Sequence, residues 1–153
     1  MQSLHGVSKG STRTMLSNTL NTNEVKNSAG TEVEFQRISQ EERSTEFAQI
    51  TEQPNLPHRL KISHQESGTG FSRRRRSVVR FDKDVASTVD TTKTVTVSAY
   101  MVLDAPLGAL TASTELANVC AEVMSFCASL GASTTILYDC TGNGAATLLS
   151  GGL

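Results

Sequence analysis

Alternation between polar and apolar positions dominates the first two thirds of this chain. From Glu32 to Ile38, Val33, Phe35 and Arg37 fall on one side and Glu34, Gln36 and Ile38 on the other. A polar turn over Ser39–Ser44 and a second short run, Thr45–Ile50, complete a predicted hairpin. Two prolines between Gln53 and Pro57 mark a loop. His58–Ser67 alternates more clearly, with Leu60, Ile62 and His64 opposite Arg59, Lys61, Ser63 and Gln65. Ser67-Gly68-Thr69-Gly70 supplies a turn, and Arg74–Lys83 reads as the returning strand. There Ser77, Val79 and Phe81 share one face, and Arg74, Arg76, Val78 and Arg80 the other. After a polar loop over Asp84–Lys93, Thr94–Leu103 carries the strongest strand pattern. Val95, Val97, Ala99, Met101 and Leu103 oppose Thr94, Thr96, Ser98, Tyr100 and Val102.

The period then changes. Leu116, Val119, Cys120, Val123, Cys127 and Leu130 follow helical spacing and predict a helix over Ser113–Leu130. Thr111 or Ser113 suits the N-cap, Glu115 the first turn, and Gly131 the stop. A short apolar connection, Ile136–Tyr138, and a turn at Thr141–Gly144 lead to a short helix at Ala145–Ser150. Strands first and helices last predict an α+β fold: an antiparallel sheet of about five to seven strands, then two C-terminal helices. Residues 1–30 are polar and form either an arm or a first strand, with strand character at Thr12–Leu20. Residues 31–153 make one domain, with the sheet over 31–104 and the helices over 111–153.

Charge sharpens this picture. Arg59, Lys61, Arg73, Arg74, Arg75, Arg76 and Arg80 are half of the chain's 14 Lys and Arg, and Glu66 is the one acid among them. The whole chain carries a net charge of −1, and no Lys or Arg follows Lys93. A cationic two-stranded ribbon on an otherwise acidic chain points to a polyanion, with nucleic acid the leading class. The competing reading is a solvated arginine run. Strand alternation favours function, because it sends Arg59, Lys61, Arg74, Arg76 and Arg80 to one side and leaves Arg73 and Arg75 to the turn or the helix side. Arginines on a sheet contact phosphates in fixed geometry. Ser63, Gln65, Thr96 and Ser98 can add hydrogen bonds to bases or 2′-hydroxyls. Tyr100 fits either a stacking platform or an ordinary tyrosine on a solvated face.

Enzyme chemistry fails on spacing. His58 and His64 share a strand face but lie about 20 Å apart, too far to chelate one metal. Paired Cys-x-x-Cys spacing is absent, so neither a zinc site nor another cofactor is expected. Gly142-Asn143-Gly144 has Thr147 where a dinucleotide fingerprint needs glycine. Cys120 and Cys127 lie roughly 10 Å apart on a helix, beyond disulfide reach, and with Cys140 they suit a reduced, intracellular origin. Met1–Gly10 has no apolar run to form a signal peptide, and no stretch is long enough to span a membrane. The apolar fraction is 37% with no Trp, lean for a lone globular subunit and suited to a core completed by a partner.

The run Leu56-Pro57-His58-Arg59-Leu60-Lys61-Ile62-Ser63-His64-Gln65, the glycine turn, Arg74–Lys83, Thr94–Pro106 and the terminal helices together resemble the coat proteins of single-stranded RNA bacteriophages, the levivirus-like family. The resemblance covers about Glu32–Leu153 and rests on element order more than on an invariant motif. It implies an intertwined homodimer whose two sheets join into one, with the helices of each subunit packed across its partner. It implies an icosahedral shell with the sheet facing the genome, assembled in the bacterial host cytoplasm and resident in the virion. In several relatives the sheet face binds a viral RNA hairpin at the replicase start, which represses translation and marks the genome for packaging.

Carried onto this chain, the RNA-binding positions are Arg59, Lys61, Ser63, Gln65, Arg74, Arg76, Arg80, Thr96, Ser98 and Tyr100. Val78 departs from the polar residue expected beside them. The dimer interface falls on Leu116, Val119, Cys120, Val123, Cys127 and Leu130. The loop Asp84–Lys93 would meet neighbours at the symmetry axes, and it lacks the cysteines with which some relatives staple it. The expected function is therefore a non-enzymatic capsid protein with no membrane and no small-molecule partner. The alternative is a dimeric, sheet-based RNA-binding regulator that forms no shell, which assembly alone separates from the first.

Overall fold

The computed structural model describes residues 15–107, 113–131 and 136–152. Six strands form one antiparallel sheet in chain order: β1 (Thr19–Leu20), β2 (Phe35–Gln40), β3 (Ser44–Gln49), β4 (His58–Ser67), β5 (Arg74–Ala86) and β6 (Thr94–Pro106). Two helices follow, α1 (Ser113–Ala128) and α2 (Asn143–Ser150). This is the α+β order expected from the change of hydrophobic period. β1 belongs to the amino-terminal segment and pairs with β2 through Leu20 and Phe35.

The strand ends differ from the sequence expectation in instructive ways. The first hairpin shifts toward Phe35–Gln40 and Ser44–Gln49, and a register break between Arg37 and Ser39 leaves Ile38 as the extra, exposed residue. A bulge of this kind cannot be read from alternation, because it breaks alternation. β5 and β6 are each three residues longer than their patterns. Asp84, Val85 and Ala86 pair with Thr96, Val95 and Thr94, which shortens the expected loop to 87–93. That loop is tied by the Ser87 N–H to the Lys93 carbonyl (2.8 Å) and by the Asp90 carboxylate, which accepts from Thr92. β6 is an edge strand, so Pro106 can end it without a lost ladder bond.

Between β4 and β5 the expected glycine turn also contains a short 3-10 turn, Gly70–Ser72. Gly68 has φ +79°, and a Cβ there would lie 2.7 Å from the Ser72 carbonyl oxygen, so this turn needs glycine on both counts. α1 ends two residues earlier than its apolar stripe, and Leu130 therefore sits in the connection, where Ser129 bridges Ile136. The Thr111 cap, the Ser113 side chain, Gly108 of the turn after β6, and Thr12–Thr14 of the first strand pattern lie outside the described residues. Gly142-Asn143-Gly144 proves to be a packing device. A Cβ at Gly144 would meet the Phe126 carbonyl oxygen at 2.3 Å, so the two glycines let the start of α2 lie against the end of α1.

The core occupies one face at the β1–β4 side of the sheet. Leu20, Phe35, Phe47 and Leu60 are buried there, packed by Val25, Val33, Ile62, Val79 and Phe81. Phe35 meets Phe81 and His58 edge to face, at 5.8 and 5.1 Å between ring centroids. The same face of β6 is poorly covered: Val97 is 60% exposed and Val95 48%. On the helices Val119, Val123, Met124, Phe126, Leu148 and Leu149 are also exposed. α1 packs mainly against α2, not back across the sheet.

Candidate nucleic-acid interface

Antiparallel pairing places residues on a face by register. Arg59 pairs with Asp82, Lys61 with Arg80, Ser63 with Val78, Gln65 with Arg76 and Ser67 with Arg74. Across β5, Asp82 pairs with Ser98, Arg80 with Tyr100, Val78 with Val102, Arg76 with Asp104 and Asp84 with Thr96. All ten sequence-predicted positions on β4, β5 and β6 thus share the face opposite the aromatic core. Arg75 is on the core side, paired with Glu66 and Ala105, and Arg73 lies in the turn, 3.7 Å from Glu66.

The register also shows what alternation of the basic residues overlooked. Asp82, Asp84 and Asp104 lie on this same face, and each is engaged. Arg80 Nε donates to both Asp82 carboxylate oxygens, at 2.9 and 2.8 Å, and Ser98 donates to the same group. Arg74 Nε donates to Asp104 at 2.8 Å. Thr96 donates to Asp84 at 2.6 Å. Arg59 pairs with Glu52 of the preceding loop and approaches Glu46 at 3.9 Å. Lys61 and Arg76 differ: among the described residues no carboxylate lies within 4 Å of either. The parity of Asp82 and Asp84 with Arg80 was a signal present in the sequence. The Glu52 contact was not, since it depends on how the loop before β4 folds back.

The pairing has electrostatic consequences. The Arg80 hydrogen bonds, followed by that of Ser98, hold the Asp82 carboxyl below its usual range. The same contact raises Arg80, which stays cationic at any physiological pH. The Arg80 guanidinium also lies 5.7 Å from the centre of the Tyr100 ring, and Tyr100 is 64% exposed. Tyr100 is thus an aromatic platform flanked by a cation. On the opposite face, burial depresses His58, assisted by Lys83. His58 Nδ1 pairs with Gln49 Oε1 at 2.8 Å, an arrangement in which the ring N–H donates.

Four of the six residues expected at a dimer interface share a separate surface, which does not include Cys127 or Leu130. Leu116, Val119, Cys120 and Val123 line an apolar groove with Met101, Leu103 and Pro106. Cys127 is half-buried on the same helix, and all three cysteines are unpaired thiols. Among the described residues no cluster of three His, Cys, Asp or Glu could hold a metal ion. Among the described residues no helix is long and apolar enough to cross a membrane.

In fold, this chain, a six-stranded antiparallel sheet followed by two helices, is similar to solved structures of bacteriophage coat proteins and virus-like particles. It is similar to the bacteriophage EMS014 coat protein at a TM-score of 0.61, over 79% of this chain and 87% of that one, with 14% identity. It is similar to a virus-like particle of the same phage at 0.59, with 12% identity over 78% of this chain and 86% of that one. The virus-like particle of bacteriophage AVE019 matches at 0.51, with 10% identity over 88% and 93% of the two chains. No family model and no curated protein matches the sequence.

Proposed function

We propose that this protein is the coat subunit of a single-stranded RNA bacteriophage. It dimerises, assembles into an icosahedral shell and binds genomic RNA on the polar face of β4–β6. Assembly takes place in the host cytoplasm, and the product resides in the virion. The observation that carries this reading is a coat-protein fold with its apolar surface left uncovered on β6 and α1, where a second copy would be needed. Among the described residues the outer edge of β6, 13 residues long, is unpaired; it can pair with the same strand of a partner, and a long unpaired edge on a stable protein calls for such a cover. The helices can then cross the partner's sheet and bury Val95, Val97, Val119 and Val123.

Support for the RNA face comes from its chemistry. Cations, hydroxyls, an amide and an exposed tyrosine lie on three adjacent strands, and the helical layer carries no cation at all. An RNA hairpin offers phosphates to Lys61 and Arg76 and unpaired bases to Tyr100. Repression of replicase translation follows if that hairpin spans the start site. The deciding experiment is expression of the full-length protein alone, followed by electron microscopy and nuclease challenge. Closed particles with protected RNA are expected. Soluble dimers that bind RNA yet never close into shells at high concentration would favour the regulator instead.

A further inference from the structure

The arginine-rich ribbon carries less available charge than its composition suggests. Arg80 and Arg74 each lie within 2.8 Å of a carboxylate on their own face, Asp82 and Asp104. Each such pair is close to neutral, so a phosphate approaching it meets a carboxylate as well as a guanidinium. Lys61 and Arg76 have no such partner among the described residues. A face built only for phosphate attraction would not place two acids beside its arginines. Carboxylates do suit one feature of RNA that phosphates lack: the amino groups of unpaired bases, such as cytosine N4, donate hydrogen bonds to them. Asp104 is 56% exposed and Asp82 32%, so both can be reached from solvent.

Resting on the RNA-binding reading above, we propose that Asp82 and Asp104 are specificity determinants of this face. They cancel the charge of Arg80 and Arg74, so that phosphate attraction rests on Lys61 and Arg76. The Asp82 carboxylate, diagonally across the β5–β6 register from Tyr100, also accepts from the amino group of an unpaired base on the Tyr100 platform. The face thereby suppresses indiscriminate binding and rewards RNA that presents an exposed amino-bearing base.

The test compares full-length wild-type protein with the isosteric D82N/D104N variant, using cytidine and uridine homopolymers over a range of salt. Asparagine keeps a hydrogen-bond acceptor for Arg80 and Ser98, and both sites are at the surface, so folding is preserved. The double variant is expected to bind both polymers more tightly. Its salt dependence should steepen by about 1.4 in log–log slope, or roughly 0.7 for each arginine released to a phosphate. The preference of wild type for cytidine over uridine should shrink. A steeper slope with an unchanged preference would retain charge cancellation and overturn the base contact. An unchanged slope and preference, with wild-type binding intact, would overturn the proposal while leaving the RNA face standing. No salt-sensitive binding by either protein would remove the RNA face itself, and this proposal with it.

Discussion

Lys61 and Arg76 carry the clearest residue-level consequence of the register. Both face the same way as Arg59, Arg74 and Arg80, yet only those three are held by carboxylates. Truncating Lys61 or Arg76 to alanine should lower RNA affinity about tenfold, on the scale of one charge-assisted hydrogen bond, and reduce the salt slope by about 0.7. Arg74→Ala should do less, because its charge is already answered by Asp104. Filter binding at several salt concentrations reads both quantities. Equal losses for all three, or none for Lys61 and Arg76, would refute the ranking. His58 makes a second residue-level prediction. Its folded pKa is lowered by burial and by Lys83, so the unfolded chain binds protons more readily. Stability is then fully present above about pH 6.5, the unfolded value. It falls as pH drops through that value toward the lower folded one. Urea midpoints should be lower at pH 5.5 than at 7.5, and His58→Gln should flatten that difference. A midpoint that does not change between those pH values would contradict this assignment.

At the scale of elements, the sheet and α1 depend on different information. β4 was legible residue for residue because one of its faces meets Phe81 and Val79 while the other meets solvent, and that contrast writes a period of two into the chain. β5 and β6 extend beyond their patterns because cross-strand pairing continues where alternation has weakened, over Asp84–Ala86 and Asp104–Pro106. The Ile38 bulge was illegible for the complementary reason. α1 has an apolar stripe that the described residues leave largely uncovered. Val119 and Val123 are 53% and 48% exposed, which suits a surface completed by a second chain. Leu116→Asp and Val123→Asp should each abolish the dimer by placing an unpaired charge in that contact, with far-UV circular dichroism unchanged. Sedimentation velocity checks this. A dimer that persists in both variants would place the interface elsewhere.

For the whole molecule, the order of residues was enough to set the class of fold, the faces of β4–β6 and the separation of a cationic ribbon from a helical layer free of Lys and Arg. These are properties of local order: side-chain period, turn residues and the position of charge along the chain. Tertiary structure decided which of those charges are available. Asp104 lies 30 residues from Arg74 in sequence and 2.8 Å away in space, and only the β5–β6 register joins them. The same holds for Arg59, whose partner Glu52 arrives by way of the loop before β4. Composition counts a cation wherever it occurs, whereas the field at a surface depends on the distance to the nearest opposite charge. That distance is set by strand pairing, so the arginine ribbon could be found in the sequence, but the two cations on its polar face without a carboxylate within 4 Å among the described residues could be identified only in the fold.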